Sequence, residues 1–201
     1  MPGTFEPLPG GGAAVVLDHV EMSIIRSLAV QLLELIGPGP VEDAAGDPLA
    51  ELFAEGPSEP PADPVLKRLF PDAYGAPEQA PASPADAEER RAHSAEFRRF
   101  TENDLRAGKR GNALSVIRSL DALGSAGEGE RVLSLSPEES RQWLGALNDL
   151  RLAIGARLEI ADEDDTEALY RLPDEDPRKP MVMAYLWLGG LQETLVSTLM
   201  P

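Results

Sequence analysis

Ala13-Ala-Val-Val-Leu17 runs directly into Asp18-His19-Val20-Glu21, and 118 residues later Arg131-Val-Leu-Ser-Leu135 runs into Ser136-Pro137-Glu138-Glu139. Each unit opens on a short apolar run, β-branched in part or alternating, which reads as a strand. Each then presents Asp or Ser at a helix N-cap with Glu three residues later. That spacing is a capping box, in which the two side chains satisfy backbone N–H groups that a first helical turn leaves unpaired. Pro137 stands at the favoured first helical position. At the 118-residue offset Val15 and Leu17 superpose on Leu133 and Leu135, Asp18 on Ser136, and Glu21 on Glu139. The spacing predicts that the two strands pair and their helices pack together as a pseudo-repeat; two unrelated strand-then-helix starts are the alternative.

Apolar residues recur at helical steps after both boxes. Val20, Ile24, Leu28, Leu32, Leu35 and Ile36 form one stripe, which stops at Gly37-Pro38-Gly39-Pro40, and Trp143, Leu144, Leu147, Leu150, Ile154 and Leu158 form the other. Between them, residues 37–87 hold 11 of the 19 prolines and read as an insertion with short helices at Pro48 to Phe53 and Asp63 to Phe70. Pro71 to Pro84 is poor in apolar residues and reads as a mobile stretch. A helix is expected from Ala85 to Arg106, broken at Gly108 and Gly111. Asn112 then caps a second helix to Leu123, and Gly124 to Gly129 is a loop. Residues 159–177 read as an acidic loop, with Leu169 to Leu172 as a short strand. A last helix, Pro180 to Leu199, is apolar nearly all round in its first half, the pattern of a central, buried helix. Its Gly189-Gly190 pair costs about 1–2 kcal/mol in propensity, to be offset by close approach of another helix. The expected fold is mainly α: residues 1–201 form a single-domain helical bundle with a small two-stranded β-ribbon and two similar strand-to-helix units.

Composition narrows the function. Among 201 residues, 18 basic and 35 acidic side chains give a formal charge of −17, and there is no cysteine. Disulfides, cysteine-ligated metals and thiol switches are thereby excluded from this chain. The longest apolar run, Met181 to Leu191, falls well short of the roughly 20 residues that span a bilayer. The first residues lack the basic and apolar regions of a secretory signal, so a cytoplasmic, soluble protein without membrane contact is expected. Residues 88–118, with 8 basic and 5 acidic side chains, are the one locally basic segment. Duplex nucleic acid is repelled by the rest, because non-specific affinity comes mainly from Lys and Arg displacing counterions.

No phosphate-cradling glycine loop, nucleophile elbow or metalloprotease helix appears. Asp162-Glu163-Asp164-Asp165 lacks the spacing of a calcium loop and reads as a solvated acidic run. His19 and His93 read as surface side chains. Asn148, Asp149 and Arg151 suit hydrogen bonding between helices better than catalysis. No catalytic, cofactor-binding or metal-ligating residue is assigned, and no cofactor is expected. The segment Glu96-Phe-Arg-Arg-Phe-Thr-Glu-Asn-Asp-Leu-Arg106 stands out: on a helix Phe97 and Phe100 share one face, with Arg98 and Arg99 centred on the other. Arg99, Arg106 and Arg110 continue as a stripe joined by Arg90 and Arg91. Glu102, four residues from both Arg98 and Arg106, could lace a solvated face. The functional alternative makes Arg90, Arg91, Arg98, Arg99, Arg106 and Arg110 a docking strip for an acidic partner or, second, for phosphate.

Several blocks together resemble an actinobacterial family catalogued as a domain of unknown function, some of whose members are described as oxidative-stress transcriptional regulators (AosR-like). The blocks are residues 28–40, 63–74, 96–106, 135–140, 147–152 and 181–194. In the regulator subgroup, sensing is attributed to a cysteine pair and action to a complex with a sigma factor at promoters. Relatives are also encoded near a Clp-protease adaptor, which suggests a link to proteostasis. The chain lacks cysteine, so no sensing residue carries over. The resemblance implies a non-enzymatic regulator that acts through protein contacts, with a sigma factor or RNA polymerase component as partner; a homo-oligomer is compatible with it. A direct DNA-binding factor using residues 88–118, or an enzyme built from scattered carboxylates and arginines, are the rivals.

Overall fold

The computed structural model describes residues 3–38, 55–74, 81–124 and 130–200. The expected helix at Pro48 to Phe53, residues 75–80 of the proline-rich stretch and residues 125–129 of the expected loop lie outside the described residues. Strands β2 (Ala13–Leu17) and β3 (Arg131–Leu135) pair antiparallel with Val15 opposite Leu133. Val15 and Leu133 are also equivalents in the 118-residue repeat, so a local pseudo-two-fold axis passes between them. Both are buried, as are Ala13, Leu17 and Leu135 beside them.

The sheet has a third strand that the sequence reading did not contain. β1 (Glu6–Pro7) pairs with β2 on its free side, giving the order β1-β2-β3. Its source is the glycine run that precedes β2: Gly10, Gly11 and Gly12 all adopt positive φ, 90°, 94° and 87°. These values are cheap only for glycine, and they fold the chain back so that Glu6 and Pro7 meet Ala14 and Ala13. A Cβ on Gly12 would also collide with the Leu135 carbonyl. Pro7 is tolerated because β1 is an edge strand.

Six helices follow among the described residues. Both capping boxes form: Asp18 Oδ1 accepts from the Glu21 N–H at 2.7 Å at the start of α1 (His19–Ile36). Asp63 Oδ1 caps α2 (Pro64–Leu69), accepting from the Val65 and Leu66 N–H groups at 2.8 and 3.0 Å. The next helix, α3, is continuous from Pro84 to Gly124, 41 residues, about 60 Å at 1.5 Å per residue. Neither Gly108 nor Gly111 breaks it, and Asn112 lies inside it rather than capping a second helix. Asn112 packs against Gly145, where a Cβ would strike its amide. That glycine sits in α4 (Pro137–Arg157), the box-started helix of the second unit.

Helix α4 is the central element. It packs against α2, α3 and α6 (Lys179–Leu199) and touches α1 along Leu28, Leu32, Leu35, Leu150 and Ile154. Trp143 is fully buried, with its indole N–H donating to Ser119 Oγ at 3.0 Å and its ring edge-on to Phe5. The expected central position of the last helix is thus corrected. α6 buries only Val182, Leu188, Leu191 and Leu195, and Met181 and Met183 are exposed. Within its glycine pair only Gly189 lies close to another helix, against the guanidinium of Arg151, whereas Gly190 faces open space.

Two further expectations are corrected. The 159–177 segment carries a helix, α5 (Glu163–Tyr170), capped by Asp162 Oδ1 on the Asp165 N–H at 3.0 Å. Leu169 and Tyr170 end that helix and do not start a strand. The three acidic residues of its first turn suit the positive end of the helix dipole. In α1 the buried stripe is Met22, Ile25, Ala29, Leu32 and Ile36, while Val20 and Ile24 are exposed. Both stripes have helical spacing; contact with α3 and α4 selects between them.

Candidate functional site

The first half of α3 carries the sequence-predicted arginines, and the structure divides them. Arg98 is buried, 4 % exposed, in a helix whose neighbouring Phe97 and Phe100 are 45 % and 65 % exposed. The polarity of this helix segment is therefore the reverse of an ordinary amphipathic one. Arg98 Nη2 donates to the Phe70 carbonyl at 3.0 Å and to Asp72 Oδ1 at 2.9 Å, and Nη1 donates to Glu102 Oε2. Burial disfavours the Arg98 charge, but hydrogen bonds and charge from Asp72 and Glu102 outweigh it and hold the guanidinium above its ordinary range. Glu102, itself 2 % exposed, also binds Arg106 through Nε and Nη2 at 2.9 and 2.7 Å.

Arg106 and Arg110 are turned to the end of α1. Arg106 Nη1 donates to the Ile36 carbonyl at 2.7 Å, and Arg110 Nη1 donates to the Gly37 carbonyl. The last carbonyls of a helix lack partners within it and carry partial negative charge. α1 has no basic residue in its own last turn, so α3 supplies the cations. Arg106 also lies over the Phe70 ring, 4.4 Å from its centroid. The Glu102 pairing with Arg98 and Arg106 occurs as the spacing suggested, but in the interior rather than on a solvated face.

Arg90, Arg91 and Arg99 face outward. Arg90 binds Asp86 at 3.0 Å, Arg91 binds Glu88 at 2.7 Å, and Arg99 pairs with Glu55 and lies 5.6 Å from the Phe100 ring centroid. Beside them Tyr74, half exposed, packs edge-on to Phe97 at 6.2 Å and against His93 at 5.8 Å. Buried Ser94 fixes Tyr74 by accepting from its N–H at 3.2 Å and donating to its carbonyl at 3.1 Å. His93, Phe97 and Phe100 stand at helical spacing on one face, forming an aromatic stripe framed by arginines. The sequence reading missed Tyr74 and Asp72, which join the site from 20 and 26 residues away.

The polar residues of α4 hydrogen-bond between helices as their types suggested. Lys109 Nζ donates to Asp149 Oδ1 at 2.6 Å, and Arg151 Nη1 donates to Gln192 Oε1 at 2.7 Å. Burial raises the Asp149 carboxyl above its ordinary value, and the Lys109 ammonium opposes that only in part. His19 is exposed, like His93.

The family described as Domain of unknown function (DUF2017) matches residues 3–199. The chain is 41 % identical over 68 residues to the "Oxidative stress regulator AosR" of Mycobacterium tuberculosis (strain ATCC 25618 / H37Rv), covering 34 % of this chain and 29 % of that protein. The Mycobacterium bovis (strain ATCC BAA-935 / AF2122/97) protein of that name gives the same figures. A Mycobacterium leprae (strain TN) protein bearing the AosR regulator name is 35 % identical over 107 residues, covering 53 % of this chain and 45 % of its own length. The matched stretches thus span less than half of these relatives. No solved structure matches the chain.

Proposed function

The chain belongs to the family described as Domain of unknown function (DUF2017), and from that membership we infer that it is a cytoplasmic regulatory protein acting through protein contacts rather than by catalysis. The regulator names of the mycobacterial relatives support the regulatory role. Its partner belongs to the transcription machinery, a sigma factor or RNA polymerase component. Its response to oxidative stress does not run through a thiol of this chain, which has no cysteine. Among the described residues no helix is long and apolar enough to cross a membrane.

The observation that carries the contact role is the outward aromatic stripe of α3, with Tyr74, Phe97 and Phe100 exposed beside Arg91 and Arg99. Exposed aromatic and arginine side chains clustered on a rigid element are the raw material of interface hot spots. Direct duplex binding is disfavoured by the same geometry. Arg98, Arg106, Lys109 and Arg110 are engaged by internal carboxylates and carbonyls, which leaves few cations of the 88–118 segment to displace counterions.

The test is capture of purified RNA polymerase and sigma factors on the immobilised chain, repeated with Phe97→Ser/Phe100→Ser. The expected result is retention by the wild type, reduced at least tenfold by the double variant. Equal retention by both removes the α3 surface from the reading; no retention by either removes the transcription machinery.

A further inference from the structure

Residues of α4, α5 and α6 line an open groove of about 940 Å³, unrelated to the α3 surface. One wall is the face of α5 bearing Glu163, Glu167 and Tyr170; the other is the face of α6 bearing Leu186, Gly190 and Glu193. Arg151 also lines it, its guanidinium 5.0 Å from the Tyr185 ring centroid and next to Gly189. That guanidinium donates to the neutral Gln192 amide and keeps its charge, whereas Glu167 is neutralised by Arg171. Glu163 and Glu193 have no salt-bridge partner among the described residues; with Glu167 neutralised, these two carboxylates outnumber the single Arg151 cation, so the lining stays net negative around an apolar centre. Beyond Gly190 the same helix carries partly buried Trp187 and exposed Met183.

We infer that this groove docks a basic amphipathic helix of another protein, its aliphatic edge on Leu186, Tyr185 and Gly190 and its Lys or Arg side chains against Glu163 and Glu193. Helix-in-groove recognition requires an apolar trough about one helix wide with charges matched along its rim. Charge complementarity selects the occupant. Nucleic acid and anionic membrane surfaces are repelled by the rim carboxylates, and a second copy of a chain of formal charge −17 is repelled by the whole molecule. Gly190 is the gate: it lines the groove, and a Cβ there meets nothing within 4 Å.

The probe is a labelled Leu/Lys amphipathic helix of about 18 residues, five turns, with a control peptide of the same composition in non-amphipathic order; binding to the full chain is read by fluorescence anisotropy. The amphipathic probe should bind more tightly than the control. Gly190→Tyr, which fills the trough, should abolish the difference between the two peptides. Glu163→Gln/Glu193→Gln should weaken the amphipathic probe about five- to tenfold. Glu6→Gln/Glu130→Gln on the sheet side should leave the affinity unchanged. Far-UV circular dichroism confirms that each variant is folded, and the carboxamide pair tests the groove independently should Gly190→Tyr fail to fold. Equal binding of both peptides, or equal loss in the groove and sheet-side variants, would reduce the effect to net charge and overturn the proposal. Absence of binding at low salt, or self-association of the chain that Gly190→Tyr abolishes, would overturn it as well. Failure of the α3 variants to release transcription proteins has no bearing on these outcomes.

Discussion

The two halves of α3 are one helix with two different reasons to stay where they are. Its C-terminal half buries Ala113, Val116 and Leu120, and behind them Trp143 fills the interior. Its N-terminal half buries no apolar side chain among those of its own; Ser94, Arg98 and Glu102 are inside instead, and the phenylalanines are outside. Apolar burial is non-directional and tolerant of small shifts, whereas a buried charge network is favourable only while every partner is in place. The C-terminal half therefore belongs to the core of the fold. The N-terminal half is a strut latched by three charged side chains, and its outer surface is left available for contact.

The largest effect should come from the apolar half. Trp143→Ala is expected to cost about 3–5 kcal/mol, seen as a lower denaturant midpoint that affects all probes together. Glu102→Ala should cost nearly as much, about 3 kcal/mol, because it strands Arg98 and frees Arg106. Its signature is different: hydrogen exchange should accelerate first in residues 84–106 and at the end of α1, with the far half protected. Global loss of protection in step with Trp143→Ala would erase the distinction between the halves. Replacing the pair together, Arg98→Met/Glu102→Leu, should recover much of the loss.

A pH effect of intermediate size marks the place where the second half meets α4. Burial raises the folded-state pKa of Asp149, so the folded form holds this proton more tightly than the unfolded chain. Its stabilising contribution is complete below the ordinary aspartate value and is lost as pH rises through the raised one. Unfolding free energies of the wild type and Asp149→Asn, compared between those two values, should show the wild type falling relative to the variant as pH rises. The opposite slope would mean that Lys109 dominates. The smallest change lies at the junction of the halves. Gly108→Ala and Gly111→Ala each add a methyl where nothing lies within 4 Å, and each should stabilise by up to about 1 kcal/mol. A loss instead would show that the junction needs its glycines for bending.

Legibility followed the range of the interaction. Both capping boxes, the short helix at Asp63 to Phe70 and the partnering of β2 with β3 were readable, since each rests on near-neighbour contacts or on a repeated pattern. The pairing of Glu102 with Arg98 and Arg106 was readable as spacing. Its burial was not, because the groups that make it affordable, the Phe70 carbonyl, Asp72 and the Ile36 carbonyl, lie 28, 26 and 70 residues from their arginine partners. The continuity of α3 through Gly108 and Gly111 was hidden for a related reason. A propensity penalty of about 1 kcal/mol per glycine is set against tertiary bonds from Arg106, Lys109 and Arg110 on either side.

The chain alone, then, determined where the two box-started helices begin, that two similar strand-to-helix units exist, and that thiol chemistry has no place in it. Those properties depend on residue identity and near-neighbour backbone hydrogen bonds. Only the tertiary structure decided which stripe of α1 faces inward, that α4 and not α6 is central, and that an arginine lies inside while two phenylalanines lie outside. Burial is a property of what surrounds a side chain, and an internal guanidinium is stable only where distant carboxylates and carbonyls converge to replace its water.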